Sequence, residues 1–301
     1  MKLHIASFLL FLCPLTASFG QQYVDMVKVS YSNTPVNDFE NSSAGTRVKE
    51  FGVEITAPVP VNPNDMVMTG LIYERTELKL FESNDEDTIS IAGLKLGLIK
   101  KHSEKWSGSY VLLPKLSSDF NGPLSIKDFQ IGGIALMKFT KNENLNYKFG
   151  LYYNSELFGP FLVPLFGLYY LSDNKKFEST LTLPFLADAN YKLLDKLKVG
   201  VNFSAQVRSY HLNEISAGTN GYAVKDIKEI GSYLRFTIVK GLSIQARVAY
   251  SLGRSYRVFE EGDKIKFGSI LIKVDDHRER LNTDFSNGLI YQTSLIYRIG
   301  G

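Results

Sequence analysis

Ser209, His211 and Asn213 carry the side-chain types of nucleophilic catalysis, and they recur at every second position. A serine hydroxyl becomes a nucleophile when an imidazole takes its proton and a third group orients the ring. Every-second spacing puts all three on one side of an extended segment. With a rise near 3.3 Å per residue, neighbours on that side stand about 6–7 Å apart, too far for a direct serine–histidine bond. By parity the face is shared with the apolar Val207, so the other reading is a set of polar residues at the rim of a strand.

Other constellations are sparser. Glu82, Asp85, Glu86 and Asp87 offer oxygen ligands of the kind Ca²⁺ takes, but without the glycine and distant glutamate of a helical calcium loop. Asp275-Asp276-His277-Arg278-Glu279-Arg280 reads as a solvated loop. Beyond the first twenty residues there is no cysteine and only His102, His211 and His277, so no transition-metal cluster is visible. No glycine-rich phosphate cradle is present. Neither a cofactor nor an enzymatic activity is expected.

The elements that must carry these residues begin after a leader. Lys2, the apolar run from Ile5 to Leu12 and the small residues Ser18 and Gly20 form a secretory signal over residues 1–20. The run is too short for a bilayer span, which needs about 20 residues. Cys13 lies inside it after Leu12, whereas a lipoprotein signal needs a small residue there. Residues 21–301 then form one domain, with no linker and no repeat.

That domain reads as strands throughout. Val199, Val201, Phe203, Ala205 and Val207 alternate with Gly200, Asn202, Ser204, Gln206 and Arg208. Ile244, Ala246, Val248 and Tyr250 alternate with Gln245, Arg247 and Ser251, and similar runs surround Phe51, Tyr147 and Tyr297. Such alternation means half-buried strands. Short Asn/Asp/Gly turns are expected at 62–65, 141–144, 172–175 and 239–241. Longer loops are expected at 33–46, 82–87, 117–127, 213–225 and 260–287. Between these breaks lie about fourteen strands, or twelve if the short hairpin around Pro184 is miscounted. Leu157 to Leu171 carries no charge, but Pro160 and Pro164 argue against a helix. A strand, a loop and the start of a second strand are expected there.

Two folds can use this pattern, a soluble sandwich with its apolar face inward and a membrane barrel with that face toward lipid. Strands near ten residues, short turns alternating with long loops, and Tyr31, Tyr73, Tyr147, Tyr250 and Tyr297 at the ends of apolar faces favour the barrel. The expected fold is all-β, an antiparallel up-and-down transmembrane β-barrel of about 12–14 strands. A net charge of +3, from 34 Lys+Arg and 31 Asp+Glu, excludes a nucleic-acid protein with a concentrated basic patch.

The chain from Val27-Val29-Tyr31 to Ile296-Tyr297-Arg298 resembles an uncharacterised family of Bacteroidetes outer-membrane β-barrel proteins. The resemblance rests on the leader, the alternating strands, Val111-Leu112-Leu113-Pro114, Thr182-Leu183-Pro184-Phe185 and Ser209-Tyr210. It implies the cell outer membrane, with lipid, lipopolysaccharide and the barrel-assembly machinery as partners. Arg278 and Arg280 could meet lipopolysaccharide phosphates. Such barrels usually end in an aromatic residue; here four residues follow Tyr297.

By parity the polar face, the presumed lumen, includes Lys28, Glu50, Glu54, Lys148, Gln206, Arg208, Glu229, Arg235, Gln245, Arg247 and Arg298. These residues either line a water-filled channel or pair across the barrel and plug it. A passive channel or transporter for small solutes or lipophilic molecules is the first functional expectation. The alternatives are a structural or surface-interaction barrel and a barrel-embedded lipid hydrolase centred on Ser209 and His211.

Overall fold

The computed structural model describes residues 23–83, 85–216, 219–269 and 273–300, so the expected leader lies outside the described residues. Among the described residues fourteen strands form the barrel wall in chain order. They are β1 (Tyr23–Asn33), β2 (Lys49–Pro60), β3 (Asp65–Leu78), β4 (Asp87–Lys101), β5 (Trp106–Ser118), β6 (Phe129–Asn142) and β7 (Leu145–Glu156). The second half comprises β8 (Gly159–Leu171), β9 (Phe177–Leu183), β10 (Leu186–Leu194), β11 (Leu197–Ser216), β12 (Thr219–Val239), β13 (Leu242–Ser251) and β14 (Leu289–Gly300). Each pairs antiparallel with the next. β1 pairs with β14 on one side and with β2 on the other, as in Val27↔Tyr297 and Val29↔Val53. The sheet therefore closes on itself with no edge along most of its height.

Closure works because the period-two pattern matches the pleat. Leu71, Leu94, Leu96, Leu112, Leu151, Val201, Leu234 and Leu295 all point outward and are exposed. Their neighbours along the chain point inward. Aromatic rings sit toward both ends of this apolar belt. Trp106 packs on Phe139 and Phe149 near the short turns, and Phe51 packs on Tyr73 toward the loops. An apolar exterior with aromatic girdles is the surface of a barrel that meets lipid.

The turns follow their side chains. Asn62 Oδ1 accepts from the backbone N–H groups of Asn64 and Asp65, both at 2.8 Å, and Asn174 Oδ1 accepts from Lys176 N at 3.0 Å. Gly241 holds a left-handed φ of 86° between β12 and β13. Tyr23 and Gly300 pair with each other at this short-turn end.

The other end departs from the expected alternation. The Glu156–Gly159 and Leu183–Leu186 connections are tight, and the stretch from Leu157 is a single strand, β8, not two. Its prolines fit because β9 pairs only with Phe166–Leu171. Pro160 and Pro164 lie in the half of β8 whose one antiparallel neighbour is β7, where a missing N–H is tolerated. Within the segment 213–225, expected as a loop, residues 213–216 continue β11 and residues 219–225 belong to β12, the two strands pairing as a long hairpin.

Because Leu151 faces outward in mid-strand, Leu151→Arg is expected to cost about 2–4 kcal/mol, the depth-dependent penalty of a cation at a bilayer midplane. Reversible unfolding in lipid vesicles reads the loss; Leu151→Val should cost far less.

Candidate functional site

β11 and β12 are 20 and 21 residues long, against 7 and 9 for β9 and β10 beside them. β10 stops pairing with β11 at Ser204, and β13 pairs with β12 only from Glu229 onward. Beyond those points the hairpin leaves the wall and turns into the barrel. There β12 pairs with Ser255–Glu260, which continues β13 past Leu252–Arg254. The sequence permits this because both faces of the extension carry apolar residues among their polar ones. Tyr210, Leu212, Ala223 and Ile227 pack against Leu78, Ile89, Ile91 and Phe285, while Val207, Tyr222 and Val224 pack against Phe161, Val163 and Leu165. The polar residues on these faces are buried with partners of their own.

The free edge of β11 points across the barrel to the inner ends of β5, β6 and β7. Ser209 N donates to Glu156 Oε2 at 2.7 Å, and the Ser209 carbonyl accepts from Ser117 Oγ at 2.6 Å and Gln130 Nε2 at 3.0 Å. Side chains thus stand in for the missing neighbour strand.

This placement corrects the lipid-side position expected for Ser209 and His211. Parity is preserved, but the face it defines has been rotated into the interior. Ser209 is completely buried, its hydroxyl donates to Glu156 Oε2 at 2.5 Å, and it accepts from Leu157 N at 2.8 Å. His211 turns instead to Asp128, with Nδ1 2.8 Å from Oδ1. Asn213 is bound to Asp119. The three residues therefore serve three separate carboxylates, and no serine–histidine pair forms. Burial alone would raise the Asp128 carboxyl, but bonds from Ser118, the Ser125 backbone and His211 outweigh it and hold it below its usual range.

On its opposite face the hairpin is clamped by charge. Lys225 bonds Glu50 and lies 2.9 Å from Glu74, while Arg208 Nη1 donates to Glu74 at 2.7 Å. Tyr210 and Tyr256 donate hydroxyls to Glu74 and Glu50. Two cations and two carboxylates thus neutralise one another where water is scarce, the condition under which buried ions are tolerated.

Below the clamp is a cavity of about 390 Å³, bordered by β1–β3 and by β10–β14. Of the lumen candidates, Lys28, Glu50, Glu54, Gln206, Arg208, Glu229 and Arg247 border it. Arg247 Nε donates to Asn202 at 2.9 Å and Nη1 to Glu229 at 2.8 Å. The other four lie elsewhere. Arg235 chelates the Gln245 carbonyl at 2.7 and 2.9 Å, and Arg298 pairs with Asp25 and stacks over Tyr23. Lys148 stands opposite Lys138 in the β6–β7 register.

Glu74, Glu156, Asp128 and Lys225 were missed. Glu74 is legible as the polar neighbour of outward Tyr73. Lys225 was hidden in the segment read as loop. Of the expected loop sites, Glu86 pairs with Lys49 and Asp87 accepts from Leu80 N. Arg278 is taken up by Asp276 and the Phe259 ring, and Arg280 by Asp284.

Fold and interior together define a closed all-β barrel with an apolar outside, a polar inside and a hairpin of its own wall across one end. The chain belongs to the family described as "Domain of unknown function (DUF6268)", whose model matches residues 19–292. A search of curated proteins gives no match. Among solved structures it is similar to the COG4313 outer membrane channel from Pseudomonas putida F1, at 6% identity and a TM-score of 0.48, covering 91% of this chain and 94% of that one. It is also similar to the Pseudomonas putida toluene transporter TodX, at 11% identity and a TM-score of 0.37, over 91% and 90%. A Pseudomonas aeruginosa FadL homologue matches at 11% identity and a TM-score of 0.35, over 93% and 91%.

Lys225→Met leaves Glu50 without a cation and Glu74 with Arg208 alone, and is expected to destabilise the barrel by about 3–5 kcal/mol. Adding Glu50→Gln should return a substantial part of that loss, and a double-mutant cycle by denaturant unfolding measures the coupling. Strict additivity would mean that the clamp does not hold the hairpin.

Proposed function

We propose that the protein is an outer-membrane channel that passes small solutes passively and whose inward hairpin occludes the pore. The observation that carries this reading is the charge-lined cavity enclosed by an apolar, closed barrel. Residues 1–20 would direct the chain to the periplasm and be cleaved, and the barrel-assembly machinery would insert it beside lipopolysaccharide. The kinship to Bacteroidetes barrels belongs to the same proposal and rests on the sequence pattern. Lys28, Lys148, Arg235, Gln245, Arg298 and the other inward polar residues would set charge preference along the path. Of the open and plugged alternatives, the sandwiched hairpin favours an occluded pore that opens when the hairpin withdraws.

Ser209 is enclosed on every side and its hydroxyl is engaged by Glu156, which weighs against the hydrolase reading. Ser209→Ala should leave phospholipid turnover by the protein at background.

The channel reading is tested in planar bilayers. His211 and Ser118 are backbone partners across the interior, so Ser118→Cys with His211→Cys can tie the hairpin to β5. The reduced variant should conduct like wild type, and oxidation should abolish its openings. A correctly folded barrel with no conductance would overturn the channel; conductance indifferent to oxidation would overturn the hairpin as its gate.

A further inference from the structure

The charges that border the cavity balance, four cations against four carboxylates. Between the cavity and the short turns that balance is lost. Six inward cations stand there, among the described residues, against only three carboxylates, Asp25, Glu178 and Asp188. Arg298 takes Asp25 at 2.5 Å, and Lys198 takes Glu178 at 3.3 Å. Asp188 accepts from Asn190 at 3.1 Å and from the Tyr233 hydroxyl at 3.0 Å. Lys95 bonds Glu54 of the cavity wall, and Arg235 is bound to the neutral Gln245 carbonyl. Lys101 and Lys192, at the turns themselves, are matched by Glu104 and Asp195.

The excess of three positive charges centres on β6 and β7, where Lys138 and Lys148 complete the set. The inward faces of these two strands carry no carboxylate between Glu156 and the short turns. Lys138 and Lys148 stand directly opposite one another in the β6–β7 register, an arrangement that like charges make unfavourable. Their neighbours Phe139, Tyr147 and Phe149 point outward, so both lysines point into the barrel. Gly167 faces Lys148 from β8, and a Cβ there would lie 3.0 Å from the Lys148 Cβ. The glycine thus makes room for the lysine stem on the inner side. Both lysines keep part of their surface exposed. Any path from the cavity to the short-turn end passes alongside this rung. A passage lined by one sign of charge, with low-dielectric walls, concentrates ions of the other sign.

We infer that the short-turn half of the lumen is an anion-selective region with Lys138 and Lys148 as its determinants, so that the solutes passed are small anions. The balanced cavity above contributes no preference of its own. The inference rests on the channel reading and adds the sign of the solute and the residues that set it.

Planar-bilayer recording of the full chain in a potassium chloride gradient tests it. The reversal potential should report a chloride permeability at least about threefold that of potassium. Lys138→Gln with Lys148→Gln should bring the ratio close to one, and Lys138→Gln with Lys148→Glu should favour potassium. A preference for potassium in the unaltered chain, or an unchanged ratio in the double glutamine variant, overturns the inference and leaves the channel standing. If the variants fail to fold, the unaltered chain still decides.

A barrel that never conducts overturns the channel reading, and thiol chemistry in detergent micelles then reads the sign of the lumen. Beyond Cys13 the sequence has no cysteine, so Ser109→Cys in the chain without its leader is a unique reporter. Ser109 is the next inward residue on β5 after Ser107, which faces Lys138. Relative to a free thiol, an anionic methanethiosulfonate should modify it several-fold faster than a cationic one, and the double glutamine variant should erase the difference. Equal rates, a faster cationic reagent or no reaction with either overturns the inference.

Discussion

A backbone amide or carbonyl that faces hydrocarbon has no partner unless another strand supplies one, and this structure is organised around that constraint. Closure of β1 onto β14 meets it over most of the wall. It cannot meet it above β9 and β10, which end well short of their neighbours. A strand that outlasts its neighbour in the wall has an open edge, and β11 hides that edge by turning inward. The inner ends of β5–β7 then receive it with Ser117, Gln130 and Glu156.

That inward turn decides the character of the interior. It carries Arg208 and Lys225 against Glu50 and Glu74, and it separates the polar cavity from the loop end. It also consumes the chemistry suggested by Ser209, His211 and Asn213, because each is taken by its own carboxylate. The cavity wall itself is balanced, with Lys28, Arg208, Lys225 and Arg247 against Glu50, Glu54, Glu74 and Glu229. Lys28 stands opposite Glu54, whose carboxylate also bonds Lys95.

Much of the architecture was legible in the sequence. Alternation through Val199–Arg208 and Ile244–Ser251 marked the strands and their two faces, and the asparagine-rich turns marked one end. The hairpin also left a trace, since apolar residues occupy both parities from Tyr222 to Val224. That trace was overridden by the polar and glycine residues near 213–221, which read as a loop. Pro160 and Pro164 misled for a related reason. A proline argues against a strand only if its missing N–H would face a partner, and where β9 ends is a property of the sheet.

The sequence by itself determined that this chain is a succession of strands with one apolar and one polar face, because a period of two is a local property of each strand. It also determined which side chains share a face. Tertiary structure alone decided which way the Ser209 face points, since that depends on where neighbouring strands stop. It likewise decided that the Glu54 carboxylate bonds Lys95 although Lys28 stands opposite it, because ion pairing is settled by side-chain reach. Parity names the charges inside; only the closed wall chooses their partners.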